Sequence, residues 1–145
     1  MKLLTLNTHS LIEPAYEAKR DAFVEFIRKE QPDVFALQEV NQTAAAPELK
    51  AVPAGYTSCP GNTVPLKADN HAAAVARMLE QKGVCYHWSW LPAKIGYDRY
   101  DDDEYDVITS GCSTAATASV SNTTIGKTKI TSGKSSKGKV NLKWQ

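Results

Sequence analysis

Apolar and polar positions follow two different periods along the first ninety residues. Lys2 to Thr8 is short, apolar and bounded by polar side chains, a pattern that suits a strand buried on both faces. The spacing then lengthens. In YEAKRDAFVEFIRKE, Tyr16, Phe23, Phe26 and Ile27 recur among charges and make one apolar face, which predicts a helix from about Pro14 to Glu30. Pro14 is tolerated in its first turn, and Gln31 and Pro32 stop it. Val34 to Leu37 is a second apolar run of the buried type. Strand, helix and strand with short links predict a parallel pair joined by a right-handed crossover.

From Thr43 to Ala68 the chain is rich in Pro, Ala, Gly and Asn, and P-A-G-Y and C-P-G-N mark turns, so it reads as loop. A second helix is predicted over Ala68 to Lys82. Asp69 or Asn70 can cap it, Ala72, Val75, Met78 and Leu79 form its inner face, and Gly83 closes it. Val84 to Leu91 carries alternating aromatics and predicts a third strand. KIGYDRYDDDE reads as loop, and Tyr105 to Thr109 as a short fourth strand.

Composition places this pattern in one soluble domain of ordinary size, with 145 residues, 42% hydrophobic and 23% charged. Thr5, Asn7 and His9 break the opening apolar stretch, so it is no signal peptide, and no run is long enough to span a bilayer; a cytoplasmic location is the expectation. Cys59, Cys85 and Cys112 have neither zinc-site spacing nor a disulfide framework and read as ordinary thiols.

Charge divides the chain. Residues 1–106 hold all 16 acids against 11 Lys and Arg, a balance of −5, whereas residues 107–145 hold six Lys and no acid, a balance of +6. The later segment is a run of small and hydroxylated residues with lysines and predicts a polar, weakly ordered tail.

The candidate chemistry lies at the strand ends. In open α/β sheets, ligands bind beyond the carboxyl ends of the strands, and Asn7 and Glu39 stand at two such ends. A hard divalent ion takes oxygen ligands and needs only one or two carboxylates beside water and substrate phosphate. The amide of Asn7 can bond the same phosphate without adding charge. The residues alone leave a second reading open, a solvated loop Glu with an Asn capping a turn.

LNTHS and DVFALQEVNQ resemble the first two motifs of the endonuclease/exonuclease/phosphatase superfamily, and DNHA, YHWSWLPAKIGYD and YDDDE resemble a bacterial branch of it. The resemblance runs from Met1 to about Glu104. It implies an α/β fold, part of a four-layered sandwich of two β-sheets flanked by helices, with residues 1–106 as the N-terminal portion of such a domain. It implies a metal-dependent hydrolase of phosphodiester or phosphomonoester bonds. Glu39 would bind magnesium, or manganese in its place, and Asn7 would bind or orient phosphate. The implied reaction is in-line attack of water on phosphorus, with charge stabilised by the metal. The implied partners are a phosphate-ester substrate, nucleic acid among them. His9 receives no catalytic role.

The family's Asp-x-Asn pair and late Asp-His are not recognisable, so the chain is expected to be a truncated and impaired form, departing from the family pattern after about residue 106. A half-sandwich exposes sheet edges, which predicts self-association. The competing reading is a noncatalytic protein whose basic tail binds nucleic acid or another polyanion.

Other signals fail on spacing. From Asp101 the sixth position is Asp106 where an EF-hand needs Gly, and the glycine a phosphate loop needs before Gly126 or Gly133 is Ser121 or Thr128. Tyr86, Trp88, Trp90 and Tyr97 read as sheet core and rim rather than a base-stacking platform.

Overall fold

The computed structural model describes residues 1–99, 105–116 and 140–141. Strand β1 (Leu3–Asn7) buries Leu4 and Leu6 and exposes Leu3 and Asn7. It is therefore buried on one face, not on both as its apolar run suggests, because the described helices pack against one side of the sheet only. Helix α1 (Tyr16–Glu30) follows a short 3-10 turn at Ser10–Ile12 and buries Phe23, Val24 and Ile27. It ends where expected: Gln31 turns left-handed at φ 44°, and its N–H bonds the Ile27 carbonyl at 2.8 Å.

Strand β2 (Val34–Thr43) lies parallel to β1, as predicted, but runs on well past Leu37. Thr43 to Ala68 is loop, apart from bridges such as Glu48 with Lys67 and Tyr56 with Trp88. Helix α2 (His71–Gln81) buries Ala72, Val75 and Leu79. Its N-cap is Asn70, whose Oδ1 accepts from the Ala73 N–H at 3.1 Å, and Gly83 closes it at φ 75°.

Strands β3 (His87–Arg99) and β4 (Tyr105–Ala116) both exceed their predicted bounds, and Val140–Asn141 forms a short β5. Lys94 to Arg99, expected as loop, continues β3; Tyr100 to Glu104 lie outside the described residues. The sheet order is β3-β4-β2-β1-β5, with β4 antiparallel to both its neighbours and β5 parallel to β1. The change of composition at residue 106 thus falls inside β4. Most of the predicted tail, residues 117–139 and 142–145, lies outside the described residues.

The small residues that make SGCSTAA look structureless are what this strand requires. Trp88 pairs with Ala115 and Trp90 with Ser113, and both indoles are buried, so β3 supplies the bulk and β4 leaves room for it. One apolar core joins Leu4, Leu6, Phe35 and Leu37 from the sheet to Val24, Ile27, Val75 and Leu79 from the helices. Phe35 lies edge-on to Phe23 and Tyr86, with ring centroids 6.2 and 4.9 Å apart. Among the described residues no helix is long and apolar enough to cross a membrane.

Candidate functional site

Parallel pairing sets the carboxyl ends of β1 and β2 side by side, with Asn7 in register with Gln38. Strict alternation along β2 would then place residue 39 on the core face after Phe35 and Leu37, where an ionised carboxylate cannot be accommodated. The strand avoids this with a bulge. Leu37 pairs with Ser113 and Val40 with Gly111, so Gln38 and Glu39 together oppose Cys112. Glu39 takes the left-handed conformation at φ 52°, and Val40, fully buried, occupies the next core position. The phase shift turns Glu39 toward Asn7.

The two predicted site residues meet directly. Asn7 Nδ2 donates to Glu39 Oε1 at 2.9 Å, while Asn7 Oδ1 accepts from the His9 N–H at 3.0 Å and fixes the amide's orientation. Among the described residues no cationic side chain pairs with the Glu39 carboxylate. Its partner is a neutral amide and it is half-buried, which leaves negative charge at the sheet end. One carboxylate beside an amide suits a hard divalent ion that takes its remaining ligands from water and phosphate. No group of three or more His, Cys, Asp or Glu converges on a metal position among the described residues.

Two further residues of the site were not legible in the sequence. Thr8 Oγ1 lies 3.0 Å from the carbonyl oxygens of both Gln38 and Glu39, and Ser10 Oγ donates to the Glu39 carbonyl at 2.8 Å. Hydroxyls in a polar turn carry no spacing signal, and these act only once β1 and β2 lie together. His9 is spent locally. Its Nδ1 lies 2.9 Å from Glu13 Oε1, and Lys19 ion-pairs with the other oxygen of the same carboxylate. The Lys19 bond, outweighing partial desolvation and helped by His9, holds the Glu13 carboxyl below its ordinary value.

DNHA builds the start of α2. Asn70 Nδ2 donates to Gln42 Oε1 at 2.9 Å, tying this cap to β2, and Asp69 Oδ2 accepts from the Thr43 N–H at 3.0 Å. His71 is fully buried, with Nδ1 2.8 Å from the Tyr16 hydroxyl. Trp88 and Trp90 are core residues, and Trp90 Nε1 donates to the Val40 carbonyl at 3.0 Å just beyond the bulge. The three cysteines are free thiols. The tail lysines that would bind a polyanion lie outside the described residues.

A mixed α/β sheet with the described helices on one face and an Asn–Glu pair at adjacent strand ends defines an α/β protein with a polar corner where ligands of open α/β sheets commonly bind. The model of the Endonuclease/Exonuclease/phosphatase family matches residues 4–123, and the chain belongs to that family. The match continues past residue 106, so the family pattern extends into the segment set apart by its charge. A solved structure of an endonuclease/exonuclease/phosphatase family protein from Leptotrichia buccalis C-1013-b superposes with a TM-score of 0.61 at 23% identity. The alignment covers 80% of this chain and 36% of that one, so the chain spans little more than a third of the neighbour's length. A search of curated proteins gave no match.

Proposed function

We propose that this chain carries the cation and phosphate corner of a hydrolase acting on phosphodiester or phosphomonoester bonds, with magnesium, or manganese in its place, held by Glu39. The observation that carries the reading is the 2.9 Å bond from Asn7 Nδ2 to Glu39 Oε1 across two parallel strand ends, in a chain of this family. When bound, the cation would neutralise charge on the phosphoryl oxygens.

The chain's own residues divide the remaining work. Glu39 would give the cation its carboxylate, which Asn7 orients with one hydrogen of its amide. The amide's other hydrogen would be the donor to a phosphate oxygen, so Asn7 would both orient the carboxylate and bind phosphate. A nucleic acid is one substrate with the required ester. The base that activates water belongs to the family's later motifs, which are not recognisable in this sequence, so slow turnover or none is the expectation for the 145-residue chain.

Cation binding is therefore the direct test. Titration of Mn2+ followed by electron paramagnetic resonance should show a site that Glu39→Gln weakens by about tenfold or more, as loss of a charged ligand requires. Equal Mn2+ affinity in the wild type and Glu39→Gln would remove Glu39 from the cation site.

A further inference from the structure

We infer that Ser10 and Thr8 are positioning residues for the Glu39 carboxylate, their hydroxyls holding the bulged backbone from which it projects. The inference rests on the reading of Asn7 and Glu39 given above and adds the machinery that keeps residue 39 in its unusual conformation.

Ser10 is fully buried and has two strong bonds. Its Oγ donates to the Glu39 carbonyl at 2.8 Å and accepts from the Asn41 N–H at 2.9 Å, so one hydroxyl bridges the groups on either side of Val40. Thr8, also fully buried, places its hydroxyl 3.0 Å from the Gln38 and Glu39 carbonyls. In an unbroken ladder the backbone groups of residue 39 would face β4, as those of Phe35 and Leu37 do, whereas the Gln38 carbonyl faces β1 and already accepts from the Thr8 N–H at 2.9 Å. The bulge sets two residues against Cys112 alone and disturbs that ladder, and the hydroxyls satisfy groups the bulge displaces.

Such a repair would be purely structural at any other bulge. Here the residue held at φ 52° is the one whose side chain meets Asn7, and the hydroxyls come from the segment that Asn7 begins. Residues 7–10 therefore grip residue 39 twice: Asn7 holds its carboxylate, while Thr8 and Ser10 hold its carbonyl. Glu does not favour a left-handed conformation, so backbone and side chain stay in place only while both grips hold. Removing the backbone grip lets the carboxylate drift from the position Asn7 defines.

The test uses the full 145-residue chain with Ser10→Ala, Thr8→Val, Thr8→Ser and Glu39→Gln. Mn2+ affinity, Asn41 amide hydrogen exchange, the Asn7 side-chain NH2 resonances and thermal melting are followed together. Ser10→Ala should weaken Mn2+ binding by about tenfold, the scale on which outer partners of metal ligands act. It should also speed Asn41 exchange and shift the Asn7 NH2 signals while melting stays cooperative; Thr8→Val should shift the same signals, and Thr8→Ser, which keeps a hydroxyl, should leave them as in the wild type. Wild-type Mn2+ affinity and wild-type Asn7 signals in Ser10→Ala would overturn the inference, as would equal defects in Thr8→Val and Thr8→Ser. Should Ser10→Ala fail to fold, Thr8→Val reports on the same carbonyl and is judged by the same readouts. If Glu39→Gln binds Mn2+ normally, the cation reading fails by itself. The shift of the Asn7 signals in Ser10→Ala then still decides whether the hydroxyls place Glu39.

Discussion

Burial holds the His71 imidazole neutral: desolvation, followed by the charge of Arg20, pushes its pKa down to about 3 from an ordinary 6.5. The unfolded chain takes up a proton as pH falls through 6.5, whereas the folded chain refuses it until about 3. The stability from this group is complete above 6.5 and is lost progressively as pH falls toward 3, with a slope of about 1.4 kcal/mol per pH unit for one proton. Denaturant titrations between pH 7 and 5 should show this slope. It should flatten in His71→Asn, which keeps an acceptor for the Tyr16 hydroxyl; an unchanged slope would assign the acid sensitivity elsewhere. Glu13 acts lower, below the ordinary carboxylate value, because its bond to Lys19 must be lost first. Single residues differ in how far the sequence reveals them. Asn7 and Glu39 stand out because polar groups end apolar runs. Thr8 and Ser10 do not, because their partners lie 31 and 29 residues away in the chain and become neighbours only through the β1–β2 pairing.

At the level of elements, the bulge in β2 depends on a gap in β4. Gly111 pairs with Val40 on one side and Pro92 on the other, and β3 has its own irregularity between Pro92 and Lys94. A Cβ at residue 111 would stand 2.5 Å from Trp90 Nε1 and 2.6 Å from the Leu91 carbonyl oxygen, so the indole that bonds Val40 passes over a strand that must be bare there. Gly111→Ala should push the indole off the Val40 carbonyl and destabilise the fold by about 1–3 kcal/mol, the usual scale of overpacking. The penalty should shrink in a Trp90→Phe background, and equal penalties in both backgrounds would show that Trp90 is not the obstacle. This arrangement also explains which elements were legible. The two helices and the parallel pair announce themselves through apolar periodicity of their own. β4 does not, because its inward positions are small where β3 brings tryptophans, and a strand whose bulk belongs to its neighbour looks polar in sequence. The far end of β2 was missed for a related reason: the bulge breaks its alternation at Gln38 and Glu39, just where the period would have carried the strand onward.

Across the whole molecule, the asymmetry of the sheet has a consequence for association. Leu4, Leu6, Phe35 and Leu37 face the helices, which leaves Leu3, Thr5, Ala36, Cys112, Thr114 and Leu91 on the opposite face by alternation. Leu3 and Leu91 remain 51% and 48% exposed there, and β3 is the outermost strand among the described residues, its outer edge bridged at Trp88 by Gly55 and Thr57. Exposed apolar side chains beside an outermost strand favour pairing with another copy. We predict that the 145-residue chain self-associates through this face, with sedimentation velocity showing a mean mass that rises with protein concentration. Leu91→Glu should lower that mass at every concentration without loss of melting temperature, because the side chain is half exposed and the charge is costly only where a second copy would cover it. A wild-type chain that sediments as a monomer throughout, or a Leu91→Glu variant that associates equally well, would show that this face is not the one used. The corner formed by Asn7 and Glu39 opens on this same side: Asn7 follows Leu3 and Thr5 by alternation, and Cys112 stands between the Gln38–Glu39 bulge and Leu91. Mn2+ titrations of the wild type and Leu91→Glu should therefore be made at a protein concentration where both are monomeric, which separates association from the site.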